Sequence, residues 1–522
     1  MDKSFARGVL PRLLIMVLFV VLSAVGVVFS VLLLLTATTI YMYFLAACFA
    51  ALSITAGFLN FVSANFYYKS YFYDGYLAKL KEGLAPVRNY PTVAVAMPVY
   101  NEDPAMVERN LRRLRELDYE RGKVTYYVLD DSTDPEARKA IELASRRNGA
   151  VYLHRRERKG FKAGALNNLL MHSREEFLAV FDSDEYITDV RFLKDMVPYF
   201  RDGRVAFVQT EKRYAKGTFF SDSIDLFDAI FFKFIQTSRA LNGTAIFAGS
   251  CGMIRRSALD EIGGFPEFVT EDTFFSFESD MSSFKSVYLP KVYALGKPLL
   301  TFTELARQQW RYNYGDTQFL GYLFKAFKKE ATPKKRGMSA SSKIDYVAHG
   351  FGLNYISGVL ILFSVVSMLV VLSAAPFAAS ASLKQILLIR YPLVDVELLA
   401  AAAFSLSILT PAVITKVYFG SFSKGLMLFV LNFALSFTRL KAAIAAVLKN
   451  SPMRGWIKGD GLKAGTKLLS SFRNSAAELS FSGILLVAGI AALVASNLFG
   501  GLWLLWYSML YGSTFFFFFK YG

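Results

Sequence analysis

The 522-residue chain is 54% hydrophobic and 19% charged, with a formal net charge of +17. That is too apolar for an ordinary soluble domain, and its two cysteines, Cys48 and Cys251, exclude a disulfide framework or a thiolate metal cage. The excess of Lys and Arg reads as the basic flanks of membrane spans facing anionic lipid, and no nucleic-acid partner is expected.

In chain order, no charged residue falls between Arg12 and Lys69. The window holds two spans of about 20 residues, at 13–35 and 41–61. Lys3, Arg7 and Arg12 precede the first and set the amino terminus in the cytosol. Residues 1–66 are thus two transmembrane helices and 67–320 a cytosolic domain, followed by an interfacial segment at 321–350. Two further spans are expected within 351–416, at 353–372 and 398–415. The uncharged stretch 425–438 is too short to span and suits an interfacial or re-entrant helix, so 417–478 reads as that helix plus a basic cytosolic loop. Residues 479–522 hold two last spans with a turn near Gly500-Gly501, giving six spans with both termini inside.

Within the insert, apolar runs lead into polar turns. Residues 92–98 (TVAVAMP) lead into Val99-Tyr100-Asn101-Glu102, 124–129 (VTYYVL) into Asp130-Asp131-Ser132, and 177–181 (FLAVF) into Asp182-Ser183-Asp184. Helical patterns at 104–117 and 135–147 separate them. This alternation predicts an open, mostly parallel α/β sheet, whose ligands bind beyond the carboxyl ends of the strands. Two carboxylates flanking one serine repel each other, and Mg²⁺ or Mn²⁺ bridging a diphosphate relieves that cost; a solvated turn is the plainer alternative. The run 158–168 (RKGFKAGALNN) is a basic, glycine-rich loop that suits an anion or nothing in particular. Glu271 and Asp272 offer a proton acceptor, or simply cap a helix. In 308–312 (QQWRY), Gln308, Arg311 and Tyr312 share one helix face, and a planar guanidinium suits a diphosphate.

These marks, in order, resemble the membrane-embedded family 2 glycosyltransferases, the cellulose, mannan, chitin and hyaluronan synthases. They are PVYNE at 98–102, DDS at 130–132, KAGALN at 162–167, DSD at 182–184, FAGSC at 247–251, TED at 270–272 and QQWRY at 308–312. The stretch 435–450 with Trp456 is similar to the mannan and glucomannan branch, whereas FAGSC with Arg255-Arg256 leans toward cellulose synthases. The resemblance implies a GT-A-type, Rossmann-like domain inserted between membrane helices. It implies that Val99, Tyr100, Glu102, Asp130, Asp131, Lys162, Asp182, Gln308 and Arg311 bind the nucleotide sugar. Gly249, Ser250, Glu271, Gln309 and Tyr312 would bind the acceptor, Asp182 and Asp184 would hold Mg²⁺ or Mn²⁺, and Asp272 would be the general base.

The implied reaction is processive, inverting polymerisation of a β-linked polysaccharide from UDP-glucose, GDP-mannose or UDP-GlcNAc, secreted through the enzyme's own channel in the plasma membrane. Transfer of a single sugar to a polyprenyl phosphate or other lipid is the alternative. Two departures stand out: the last motif ends in Tyr312 where the family has tryptophan, and the loop at 456–461 replaces the usual gating pattern.

Overall fold

The computed structural model describes isolated positions between 17 and 35 and residues 40–84, 86–330, 338–378, 412–449, 464–495 and 497–522. Most of the expected first span, nearly all of the span at 398–415 and the loop at 456–461 lie outside the described residues.

Two helices, α1 (Ile40–Ser70) and α2 (Tyr73–Glu82), precede the sheet. The chain then alternates through β1 (Val93–Val99), α3 (Pro104–Leu114), β2 (Val124–Asp130), α4 (Pro135–Arg147), β3 (Val151–His154), α5 (Phe161–His172), β4 (Phe177–Val180) and β5 (Tyr186–Ile187). After α6 (Phe192–Met196) come β6 (Val205–Tyr214), α7 (Phe219–Ile230), a π-helical turn and α8 (Thr237–Ala240). The domain closes with β7 (Gly252–Arg255), α9 (Arg256–Ile262), α10 (Glu271–Met281) and β8 (Lys285–Gly296). The sheet order is β3-β2-β1-β4-β7-β6-β8-β5. β1 to β4 are mutually parallel, and β7 runs antiparallel between β4 and β6.

β1 shows why an apolar run becomes a central strand. Val93, Val95, Met97 and Val99 enter the core on one side of the sheet, and Ala94 and Ala96 enter the core on the other. Both faces are covered, so alternation with polar residues is lost. Helix starts are fixed locally: Asp103 and Asp134 each accept backbone N–H bonds ahead of a first-turn proline.

The long helix α11 (Phe302–Glu330) joins this domain to the apolar helices. Those are α12 (Ala340–Ala378), α13 (Phe422–Ala434), α14 (Ser436–Val447), α15 (Ala464–Asn474), α16 (Ala476–Val494) and α17 (Leu498–Tyr521). Successive turns of α11 meet different partners. Phe302 and Leu305 pack with Phe517 and Phe518 of α17, Trp310 and Tyr314 with Ala442 and Ala446 of α14, and Phe319 and Leu323 with Phe274 and Phe277 of α10.

The six expected spans are not all found. Among the described residues, Ala476–Val494 and Gly500–Tyr521 are long and apolar enough to cross a membrane. α13 and α14 qualify only together, bent by 47°, as a broken span or a re-entrant loop. Among the described residues, Ser357–Leu369 of α12 forms a shorter apolar stretch. Gly500 and Gly501, where a turn was expected, lie inside α17, which starts at Leu498 with Asn497 capping it through Gly500 N–H. Gly501 serves contact instead: a Cβ there would stand 2.9 Å from the Gly489 carbonyl and 2.5 Å from Leu493.

Candidate active site

The carboxyl ends of β1, β2 and β4 carry the PVYNE, DDS and DSD turns, and the sheet order sets them side by side. Asn101, in the left-handed region at φ 51°, ties the first two together. Its amide N–H donates to Ser132 Oγ (2.8 Å) and its Oδ1 accepts from Thr133 N–H (2.9 Å). The Arg158 guanidinium lies 3.4 Å over the exposed Tyr100 ring, a cation–π contact at the rim of the cleft.

Both DDS acids have partners within the domain. Asp130 is 1% exposed and accepts from Tyr152 Oη (2.7 Å) and Ser132 N–H (2.8 Å). Asp131 takes a two-pronged bond from Arg155, at 2.8 and 2.5 Å. Such a fork satisfies both carboxylate oxygens and fixes the loop that leads to α5.

Asp182 is likewise occupied. Lys162, in the first turn of α5, pairs with its Oδ1, and Lys212 of β6 stands 3.5 Å from Oδ2. Burial alone would push Asp182 up, but the two ammonium groups outweigh it and hold the carboxyl well below the usual range. Asp182 thus carries a lysine ammonium beside each carboxylate oxygen. Buried Glu185 completes the turn. It accepts from Asp182 N–H (2.9 Å) and Ser250 Oγ (2.7 Å) and lies 3.3 Å from Lys212.

Asp184 differs. Burial and the charges of Asp182 and Glu185 push it up to about 7. Among the described residues no group of three or more His, Cys, Asp or Glu side chains forms a ready metal cage. The donor chemistry still fits a hard divalent cation: one half-buried carboxylate, crowded by like charge and in no ion pair, leaves the remaining positions to phosphate oxygens and water.

FAGSC forms the loop before β7, and Gly249 within it adopts φ 81°. A Cβ there would stand 3.2 Å from Asp272 Oδ2 and 3.7 Å from Lys162 Nζ. The glycine thus admits both side chains to one point. Glu271 and Asp272 occupy the first turn of α10, where Asp272 accepts from Thr273 N–H at 2.8 Å. Burial, then the Asp272 charge, pushes Glu271 up to about 7. Asp272 is also raised by burial, against the opposing pull of its Thr273 bond and of Lys162, Lys212 and Arg311.

α11 divides QQWRY between two faces. Gln308 donates to Tyr214 Oη (3.2 Å), and Arg311 and Tyr312 stand in the field of Glu271, Asp182, Asp272 and Asp228. Gln309 and Trp310 turn the other way. Gln309 is 5% exposed, and its Oε1 accepts from Arg439 Nε of α14 at 3.0 Å, so it supports the fold where an acceptor contact was expected.

The structure sets Glu102, Lys162, Asp182, Asp184, Gly249, Glu271, Asp272, Arg311 and Tyr312 in one charged neighbourhood, with Tyr100 under Arg158 and Gln308 on Tyr214, while Asp130, Asp131 and Gln309 are bonded to Tyr152, Arg155 and Arg439. It adds Glu185, Lys212, Tyr214 and Asp228. Glu185 was visible as the fourth letter of DSDE; Lys212 and Asp228 carry no motif of their own.

Residues 94–263 match the Glycosyl transferase family 2 model. The chain is 30% identical over 237 residues to a cellulose synthase catalytic subunit of Pseudomonas fluorescens, covering 44% of this chain and 31% of that protein. It is 31% identical over 244 residues to a probable glucomannan 4-beta-mannosyltransferase 7 of rice, Oryza sativa subsp. japonica, covering 43% and 40%. The chain therefore spans less than half the length of these relatives. Among solved structures it is similar to a mannosyltransferase from Pyrobaculum calidifontis in complex with GDP-Man and Mn²⁺, at 20% identity and a TM-score of 0.48, covering 74% of this chain and 98% of that one.

Proposed function

We propose, for a chain whose residues 94–263 match the Glycosyl transferase family 2 model, that it is an inverting hexosyltransferase extending a β-linked glycan from a nucleotide-diphospho-sugar at a membrane surface. The carrying observation is the meeting of Asp272, Lys162 and the Asp182 clamp around the bare backbone of Gly249.

In this reading Tyr100 and Arg158 border the nucleoside. Lys162, freed in part from Asp182 as the donor enters, and Arg311 take the diphosphate, whose planar anionic oxygens suit a guanidinium fork. Asp184, with Glu102 behind it, would hold Mg²⁺ or Mn²⁺. When bound, that ion would neutralise charge developing on the leaving diphosphate. Asp272 takes the proton from the attacking acceptor hydroxyl, and its raised pKa makes it a stronger base than an exposed aspartate. Tyr312 stacks on the terminal acceptor sugar, aligning it with the donor carbon. With the cleft on the cytosolic side, α11 hands the growing chain toward the bent pair α13–α14 and the spans α16 and α17 for secretion.

Product length is the test. Purified full-length chain in lipid vesicles is incubated with UDP-glucose, GDP-mannose or UDP-GlcNAc and a divalent cation, and products are sized. Polymer supports the reading; a single sugar on a polyprenyl phosphate replaces it with the non-processive alternative.

A further inference from the structure

The pairing of β6 with β7 ends at Gln209 and Gly252, and the FAGSC loop at 247–251 leads directly into that glycine. Gln209 is fully buried in a strand whose other inward residues are mostly apolar. A buried primary amide needs partners for its oxygen and its nitrogen, and the loop supplies them. Gln209 Oε1 accepts from Ala248 N–H at 2.8 Å, and Nε2 donates to the Ser250 carbonyl at 3.0 Å and lies 3.3 Å from that of Cys251. Exchanging oxygen and nitrogen would set N–H against N–H and oxygen against oxygen, so these partners fix the amide's orientation. Gly252 makes room for it: a Cβ there would stand 3.0 Å from Gln209 Oε1.

Ala248 and Ser250 flank Gly249. One side chain therefore grips both neighbours of the glycine that adopts φ 81° against Asp272 and Lys162. The loop is tied to α10 as well. Phe247 N–H donates to Ser276 Oγ at 2.8 Å, and that hydroxyl donates to the Asp272 carbonyl at 2.7 Å. Gln236 makes a similar two-pronged grip further upstream, accepting from Ile246 N–H at 2.8 Å and donating to its carbonyl at 2.6 Å. The two glutamines differ in what they hold: Gln236 holds the approach to the loop, and Gln209 holds the turn at Gly249.

We propose that Gln209 is a positioning residue for transfer, seating Gly249 against Asp272 Oδ2 and so keeping the base and Lys162 in register. This rests on the glycosyltransferase reading above. Loosening that seat should slow transfer about tenfold, short of the roughly 10²-fold that a 1 Å misplacement of reacting groups costs.

The test is a double-mutant cycle on kcat for transfer, using the full chain in lipid vesicles with the donor that it turns over and with cellotetraose or mannotetraose as acceptor. Gln209→Met removes the amide at similar volume, and Gly249→Ala drives a Cβ toward Asp272. Each should lower kcat. Because the first change frees the loop to yield to the second, the combined loss should be smaller than the product of the two. Gln236→Met, which loosens the fold without touching the turn, should give a loss that multiplies with that of Gly249→Ala. An unmoved kcat in Gln209→Met, losses that multiply for Gln209, or the same shortfall for Gln236 overturns the assignment. If Gln209→Met does not fold, Gln209→Glu, which sets an oxygen against the Ser250 carbonyl, must show the shortfall or the assignment falls. Wild-type protein that releases no diphosphate from any donor sinks the underlying reading instead.

Discussion

The turn after β4 and the first turn of α10 each carry neighbouring acids in one cleft, yet the fold sets Asp182 and Asp272 in opposite directions. Asp182 has an ammonium on each oxygen and is driven well below the ordinary range. Asp272 has a backbone N–H and an acidic neighbour, and burial drives it up. A carboxylate clamped by cations is a fixed anion; one left uncompensated is a base. On the proposed reading, the comparison separates the group that would hold the leaving diphosphate from the group that would accept the proton.

The largest expected effect comes from removing the base. Asp272→Asn should lower kcat for transfer by about 10²- to 10⁴-fold, whereas Asp182→Asn should act chiefly through donor KM, since it releases Lys162 and Lys212. Steady-state kinetics in donor concentration separate them, and equal kcat losses in both would break the comparison. Asp184→Asn should abolish the response to added Mg²⁺ or Mn²⁺, measured by titrating the cation into chelator-treated protein.

The pH profile sharpens the contrast. Glu271 is pushed up to about 7, and burial raises Asp272 beside it above the ordinary carboxylate range. Transfer needs the deprotonated base, so the acid limb of the rate should lie above the ordinary carboxylate position. Lys162 lowers both groups, so Lys162→Met should move that acid limb to higher pH. A limb at the ordinary carboxylate position would contradict the assignment.

The smallest effect belongs to the scaffold face of α11. Gln309→Leu removes a partner from fully buried Arg439, which keeps only Asn432 Oδ1 at 2.9 Å. Loss of about 1–3 kcal/mol is expected from a buried polar group left unpaired, read as lower thermal stability with donor KM little changed.

The sequence carried the sheet's centre well. Strands at 92–98, 124–129 and 177–181 and helices at 104–117 and 135–147 emerge within a few residues, because apolar runs and Asp-Pro starts are local signals. The mixed half of the sheet was not legible, since antiparallel insertion of β7 is set by long-range pairing. Motifs located the cleft but not the direction in which each side chain points. Asp130 and Gln309 sit inside true motifs yet serve the fold, because Tyr152 and Arg439, distant in sequence, claim them. Lys212 and Asp228 escaped because a lone charge after a strand or on a helix has no local signature. Gly500 and Gly501 lie inside α17, and they were read as a turn because glycines that permit helix contact look like glycines that bend the chain.

The most direct measurement is nucleoside diphosphate release by the purified full-length chain from a panel of UDP-glucose, GDP-mannose and UDP-GlcNAc, run beside Asp272→Asn. Release from one donor in the wild type, stimulated by glycan acceptor and largely lost in Asp272→Asn, is the expected result. No release from any sugar nucleotide, or equal acceptor-stimulated release in both proteins, would contradict a cleft built to activate a hydroxyl against a diphospho-sugar.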